Sequence, residues 1–269
     1  MYGIIIAFQR YQPHLGFLKS PWVGLAHFRS FFENPLALRT LKNTLIISVY
    51  NLIFVFPAPI ILALLLNEIK RYKIKRVIQT VTYLPYFIST VVIVGIMANI
   101  LSPDMGVINQ IIKMLGGQEI HFMAEPKLFR SLYIGSDIWQ GVGWGAIIYI
   151  AALAGISIEQ YEAAIVDGAN RFQQMRYITL PGISPTIIIL LLLRIGNFLQ
   201  IGFERILLMQ NPFNMDVSDV ISTHVYTRGL TGGAFSYATA IDLMNNLIGF
   251  ILLISANYVA RKISEFSLW

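Results

Sequence analysis

Long apolar runs alternate with short polar segments along most of the chain. Five runs, almost free of charge, extend over residues 43–67, 77–103, 138–158, about 183–210 and 234–260. Each is long enough for the helix of roughly 20 residues that crosses a bilayer. Lipid offers the backbone no hydrogen-bond partner, so a spanning run must be helical. The pattern therefore predicts an all-α membrane protein with five full spans.

Two local patterns refine this prediction. The first nine residues, MYGIIIAFQ, are apolar but too short to span a bilayer, and they lack the charged start and cleavage site of a signal peptide. We interpret them as the end of a truncated first span. In the third run, Gly141 and Gly145 have the spacing at which helices pack closely.

Composition and charge agree with a membrane class. Of the 269 residues, 56% are hydrophobic and 13% are charged, against about 25% charged in soluble domains. The net charge of +6 comes from Lys and Arg that lie mostly between the apolar runs, so we expect no nucleic-acid partner. The densest basic loop, KRYKIKR at 70–76, predicts a cytoplasmic location for that loop. There is no cysteine, and the four scattered histidines predict no metal site.

One polar segment, EAAIVDGANRFQQMRYITLP at 162–181, separates two of the apolar runs. Ser157 followed by Gln160 predicts a capping box that starts a short helix. Gly168 can adopt the left-handed conformation that ends it. The segment is therefore predicted to be a helix-turn-helix on the cytoplasmic surface. From the residues alone, a solvated amphipathic loop is equally consistent.

The spacing within this segment matches a known motif. Glu162-Ala163-Ala164 is followed after three residues by Gly168, after nine more by Ile178, and then by Leu180-Pro181. The segment resembles the EAA loop of permease subunits of binding-protein-dependent ABC importers. The resemblance covers nearly the whole chain and is strongest to maltose-type sugar permeases. Within them it favours the branch that serves complex oligosaccharides, including alginate and aldouronate, through YGIIIAFQ at the start, DVISTHVYTRGL at 219–230 and SLW at 267–269.

The resemblance implies a type I ABC importer transmembrane fold, with one domain over 1–269 and a coupling loop at about 156–182. It implies a multi-pass protein of the bacterial cytoplasmic membrane and its lipid bilayer. Its partners would be a second homologous permease subunit, two cytoplasmic ATPase subunits, an extracytoplasmic solute-binding protein and an oligosaccharide. The chain has no G-x-x-x-x-G-K-[ST] phosphate loop. It is therefore expected not to be an enzyme and to bind no cofactor, because ATP and Mg²⁺ would be held by the ATPase. By position, the coupling residues would be Glu162, Ala163, Ala164, Asp167, Gly168, Leu180 and Pro181.

Polar residues inside apolar runs predict a substrate pathway, because they are costly in lipid and tend to face a cavity or a partner. Aromatic faces and amides suit sugar rings, and arginines suit acidic sugars. The candidates are Trp139, Trp144, Arg194, Asn197, Arg205, Asn245 and Asn246. Four polar residues from Arg194 to Arg205 are expected along one side of one continuous helix. Contacts with neighbouring helices are the alternative for each.

The predicted function is the passage of an oligosaccharide, possibly acidic and alginate-like, from the binding protein to the cytoplasm. Two alternatives remain open at this point. One is a secondary transporter driven by an ion gradient, with Asp242 and Glu204 as coupling carboxylates. The other is an ABC importer of a solute that is not a sugar. The outer loop containing Asp216, Asp219, Thr223 and Tyr226 is expected to be the surface on which the binding protein docks.

Overall fold

The computed structural model describes residues 2–263 and 266–268. Met1 and Trp269, which belong to two of the segments noted above, lie outside the described residues. Within these ranges the regular secondary structure is helical, apart from one isolated antiparallel bridge between Gln9 and Trp22. The α-helices are α1 Gly16–Lys19, α2 Ala26–Glu33, α3 Pro35–Tyr50, α4 Pro57–Glu68, α5 Tyr72–Tyr83, α6 Thr90–Ile100, α7 Val107–Met114, α8 Pro126–Ala154, α9 Ile158–Val166, α10 Arg171–Gln174, α11 Leu180–Gly196, α12 Phe203–Met209, α13 Met215–Ser218, α14 Ile221–Val225 and α15 Phe235–Ile263. Short 3₁₀ segments cover Tyr2–Phe8 and Leu84–Phe87, and π-turns cover Asn51–Val55, Met175–Thr179 and Tyr226–Thr231.

Four continuous helices in the described part of the chain are long and apolar enough to cross a membrane. They are Pro35–Glu68, Pro126–Ala154, Arg171–Gly196 and Phe235–Ile263. A fifth candidate is the pair Tyr72–Phe87 and Thr90–Ile100, which is bent by 102°. The bend follows Pro85 in a 3₁₀ turn, and Ser89 caps the helix that begins after it. The all-α multi-span prediction is confirmed, with the second span broken in its middle.

Prolines change the helical pitch without ending the spans. Phe56 N–H donates to Asn51 O at 2.9 Å, five residues back, just before Pro57. A second π-turn, Met175–Thr179, precedes Pro181. Proline has no N–H, and its ring collides with the carbonyl four residues earlier. A wider turn accommodates that carbonyl, so each helix continues past its proline.

The prediction of one continuous helix over the fourth apolar run is wrong beyond the middle of that run. It was expected to continue to about Gln210, but the helix ends at Gly196, and α12 is a separate helix that begins after Gly202. Gly202 N–H donates to the Tyr133 hydroxyl at 3.1 Å, which satisfies a backbone donor outside the helix. Average hydropathy does not register such a break, because most residues on both sides of it are apolar.

The chain divides into two compact units, each built from three separate stretches. The first comprises residues 1–50, 89–134 and 197–251, and its core includes Phe31, Ile221 and Ile241. The second comprises residues 51–88, 135–196 and 252–269, and its core includes Ala63, Tyr149 and Ile183. The first unit holds the inter-span loops around 101–125 and 197–234, and the second holds those at 69–71 and 155–170.

Glycines on α8 allow a close helix crossing inside the second unit. A Cβ on Gly143 would lie 2.0 Å from Thr82 O, and one on Gly145 would lie 2.9 Å from the Pro59 ring. A Cβ on Gly141 would meet nothing within 4 Å. The close-contact prediction therefore holds for Gly145 but not for Gly141, whose place is taken by Gly143.

Candidate functional site

The first helix of the polar segment forms as predicted, but its capping differs. Helix α9 begins after Ser157, whose Oγ accepts from Glu159 N at 3.2 Å. The capping box predicted between Ser157 and Gln160 is not among the caps of α9. A complete box is found instead at α10, where Asn170 Oδ1 accepts from Gln173 N at 2.9 Å and Gln173 Oε1 accepts from Asn170 N at 2.8 Å. An amide at both positions closes the second box.

Gly168 ends α9 as expected. Its φ is +77°, a left-handed conformation that residues with a Cβ rarely adopt. The turn lets Ala169 N–H donate to Ala164 O at 2.8 Å and Asp167 N–H donate to Ala163 O at 3.0 Å. Carbonyls that the helix end would leave without partners are satisfied in this way.

The segment is attached firmly to the spanning helix that follows it. The Tyr161 and Thr179 hydroxyls share a hydrogen bond of 3.0 Å, and Gln174 Nε2 donates to Ala169 O at 2.9 Å. A Cβ on Gly182 would lie 2.7 Å from the Ile156 side chain, so the two ends of the segment pack closely. These contacts hold α9 against one end of α11 within the second unit. A push on α9 would therefore reach a spanning helix directly.

The second half of the segment differs from the prediction in one respect. The second short helix was expected to stop before Leu180-Pro181 opened the next span. The structure has one continuous helix over Arg171–Gly196 instead. The π-turn before Pro181 makes this continuity possible, as described above. Leu180 and Pro181 thus lie within the spanning helix.

The outward face of α9 exposes both charged and large apolar side chains. Glu162, Ala163 and Asp167 are exposed, Ala164 is half-buried, and neither carboxylate forms an ion pair within the described residues. Large apolar side chains are also exposed here: Ile158, Ile165, Val166 (87%) and Phe172 (68%). Sequence reasoning missed this apolar component, although the I-V pair beside the Glu-Ala-Ala signature could have indicated it. Exposed apolar side chains next to charged ones are typical of a protein contact surface.

Part of the candidate pathway lies in the second unit. Trp139, Trp144 and Arg194 are partly exposed there. The Trp144 ring stacks on Tyr86 with centroids 4.6 Å apart and planes 4° apart, and Phe87 meets Trp144 edge-on at 5.7 Å. Sequence reasoning missed Tyr86 and Phe87, although they directly follow Pro85 in YLPYF, where the span bends.

The remaining pathway candidates lie in the first unit. Asn246 Oδ1 accepts from Gln200 Nε2 at 3.0 Å, so this amide links the last span to the turn after α11. Asn197 is exposed. Asn245 Oδ1 is buried without a hydrogen-bond partner in the described part of the chain. Arg205 belongs to α12, which begins after the break at Gly196. Its side chain is packed in the first unit, and the residue is only 7% exposed. The expected single stripe from Arg194 to Arg205 is therefore not formed.

An asparagine organises the loop around Asp216 and Asp219 in the first unit. Asn43 on α3 is buried, and its Nδ2 donates to Asp216 O and to Asp219 O, each at 2.9 Å. Its Oδ1 accepts from Arg130 of α8 at 3.1 Å. Thr223, expected on the docking surface, is only 1% exposed, because its hydroxyl donates to Asp219 Oδ1. Thr223 therefore supports the loop from within, and the exposed positions are Asp216 and Phe213.

His224 lies beneath the same loop. It is buried, shares a hydrogen bond of 3.0 Å with the Tyr237 hydroxyl, and meets the Phe31 ring edge-on. Burial lowers the pKa of His224, and the nearby Asp219 opposes this shift. The neutral imidazole is thus the form that this packing favours.

Comparisons with known proteins agree with this geometry. A family described as "Binding-protein-dependent transport system inner membrane component" matches residues 55–265. Protein LplB of Bacillus subtilis (strain 168) is 49% identical over 98% of this chain and 83% of LplB. The polygalacturonan/rhamnogalacturonan transport system permease protein YteP of the same organism is 46% identical, with the same coverage.

The fold also matches a solved transporter. A chain of a bacterial alginate ABC transporter, crystallised in complex with an alginate pentasaccharide-bound periplasmic protein, aligns with a TM-score of 0.92 and 38% identity. The alignment covers 99% of this chain and 88% of that one. A type I ABC importer transmembrane fold follows from this match. Because this family matches residues 55–265, which is most of the chain, the chain belongs to the inner membrane components of binding-protein-dependent transport systems.

Proposed function

We propose that this chain is the permease subunit through which an ATP-driven importer passes an acidic oligosaccharide into the cytoplasm. The observation that carries the proposal is the exposed face of α9, with its carboxylates and apolar side chains, fixed to the end of a spanning helix. Such an element suits a groove on a cytoplasmic ATPase subunit. Glu162 would meet a basic residue there, while Ala163 and Ala164 would allow close approach.

The division of labour follows from what the sequence contains. The chain has no phosphate loop, so ATP and Mg²⁺ belong to two separate ATPase subunits. A solute-binding protein would deliver the sugar at the side of Asp216 and Phe213, and a second homologous permease subunit would complete the pathway. An ion-gradient transporter, left open by the sequence, does not fit a family of binding-protein-dependent ABC permeases.

The proposal of an acidic oligosaccharide rests on two kinds of support. One similar protein is named for polygalacturonan and rhamnogalacturonan, and similar solved structures are of importers of the acidic polysaccharide alginate. In this chain, the Tyr86–Trp144 stack offers an aromatic face to a sugar ring. Arg194, partly exposed on α11, offers a cation to a carboxylate. Charge-assisted hydrogen bonds of this kind are about twice as strong as neutral ones.

Replacing Arg194 by Gln tests the choice of substrate. The assembled importer would be reconstituted in vesicles and supplied with acidic and neutral oligosaccharides of equal length. We expect uptake of the acidic sugar to fall by about tenfold or more, since a hydrogen bond to a charged group contributes roughly 1.5–3 kcal/mol. Uptake of the neutral sugar should change little. The control is Lys42→Gln, which removes an exposed charge from α3. Equal loss for both sugars in Arg194→Gln would contradict the acidic specificity.

A further inference from the structure

The turn before α5 and the first residues of α5 carry the densest positive charge in the chain. Five of the seven residues from 70 to 76 are basic: Lys70, Arg71, Lys73, Lys75 and Arg76. All are exposed except Lys75, which is half-buried. Within the described residues, none of the five forms an ion pair. Glu68, the nearest carboxylate along the chain, makes no ion pair with these cations among the described residues.

An apolar stripe continues from these cations along α5. Ile74, Val77, Val81 and Leu84 recur at offsets of three, seven and ten, which places them on one face of the helix. The last three are 61–64% exposed. Lys73 immediately precedes the stripe and borders the same face. The first turn of α5 has no side-chain cap, so its backbone N–H groups add to the positive potential there.

The cations and the coupling segment share one side of the membrane. Residues 69–71 join the first continuous span to the bent pair, and residues 155–170 follow the next span. Alternation of the spans places both loops on the same side, and both belong to the second unit. In the orientation that the dense basic loop predicts, the cluster would lie at the membrane–water interface on the cytoplasmic side, where anionic lipid headgroups are found.

We infer that this part of α5 is a binding site for an anionic phospholipid. Lys70, Arg71 and Lys73 would hold the headgroup phosphate, and the acyl chains would lie along Val77 and Val81. A lipid fits the surface because it combines an anionic head with an apolar tail in the same order as the cations and the stripe. An acidic protein surface would match the cations but would leave the stripe exposed. This inference does not depend on which solute the importer carries.

The experiment uses the assembled importer in nanodiscs of phosphatidylcholine with increasing phosphatidylglycerol. Native mass spectrometry measures retained phosphatidylglycerol, and a melting curve measures stabilisation. The test variant is Lys70→Gln/Arg71→Gln/Lys73→Gln. The control is Lys19→Gln/Lys42→Gln/Lys127→Gln, which removes the same charge from three exposed lysines in the first unit. A third variant, Lys70→Arg/Arg71→Lys/Lys73→Arg, keeps the charge.

We expect the test variant to lose phosphatidylglycerol retention by at least about fivefold, the effect of a single basic residue at an anionic surface. The control and the charge-keeping variant should retain it. Soluble glycerol 3-phosphate should not compete at millimolar concentration, because it lacks the acyl chains. Equal retention by all variants would overturn the inference. Loss of ATPase copurification with unchanged lipid retention would also overturn it, and would assign the cluster to a protein contact.

Discussion

At the scale of single residues, the polar side chains buried beneath the outer loop include one titratable group, His224. His224 is enclosed by Tyr237 and Phe31, and burial lowers its pKa from the usual value of about 6.5. Between the folded pKa and 6.5, the unfolded chain therefore binds more protons than the folded one. The stability that neutral His224 confers is complete above pH 6.5 and is lost as the pH falls through that value towards the folded pKa.

The loss of stability on acidification can be measured. The melting temperature of the purified protein should fall between pH 7.5 and pH 5.5, and His224→Gln should reduce that fall because it removes the titrating group. His14→Gln, a change at an exposed histidine, should leave the pH dependence as it is in the original chain. A fall of the same size in His224→Gln would show that other groups cause the acid sensitivity.

Individual residues also show which parts of the site can be read from sequence. Gly168 was predictable because its role is local: it ends α9 four residues after Ala164 and needs only a positive φ. Asn43 was not predictable, because its acceptors, Asp216 and Asp219, lie 173 and 176 residues away. Arg205 was placed wrongly for a related reason, since a break near Gly196 decides which way it points.

At the scale of elements, close helix packing through α8 is open to a direct test. Gly143→Ala would place a Cβ 2.0 Å from the Thr82 carbonyl, whereas Gly141→Ala would meet nothing within 4 Å. We expect Gly143→Ala to destabilise the second unit by about 1–3 kcal/mol, the usual effect of overpacking. Gly141→Ala serves as the matched control, measured by melting in detergent. Equal melting temperatures for the two variants would mean that α5 and α8 do not cross as described.

Helix α9 gives the second prediction at this scale. Glu162→Lys should weaken copurification of the ATPase subunit while leaving membrane insertion intact. It replaces a proposed attraction by a repulsion, and loss of one partner of a buried charge pair alone costs about 2–5 kcal/mol at an interface. Glu33→Lys, an exposed change in the first unit, is the control. Normal copurification and normal uptake in Glu162→Lys would remove the main support for the coupling role of α9.

The spanning helices could be predicted from the sequence, but the places where they are interrupted could not. Hydropathy located the spans because each must be apolar over a length that the bilayer sets. Their interruptions depend on one or two residues, such as Pro85 at the 102° bend, and leave the average hydropathy unchanged. The π-turns before Pro57 and Pro181 are of the same kind. A sliding average therefore finds the helices and misses the places where they break.

At the scale of the whole molecule, the chain forms two units that are interleaved along the sequence. The chain passes from one unit to the other five times, so neither unit is a continuous stretch that could be excised. The second unit contains α9, the basic turn before α5 and the end of α15, and the first contains Asn43 and the loop that it supports. In the proposed importer, α9 would meet an ATPase subunit, and the loop that Asn43 supports would meet the solute-binding protein.

Uptake by the reconstituted importer tests the central proposal most directly. Vesicles would contain this chain, its partner permease and the ATPase subunits, with the binding protein and a labelled acidic oligosaccharide on the opposite side. With ATP on the ATPase side and ionophores that abolish proton and sodium gradients, we predict uptake that requires the binding protein. Uptake that persists without ATP hydrolysis but disappears when the ion gradients collapse would contradict the account.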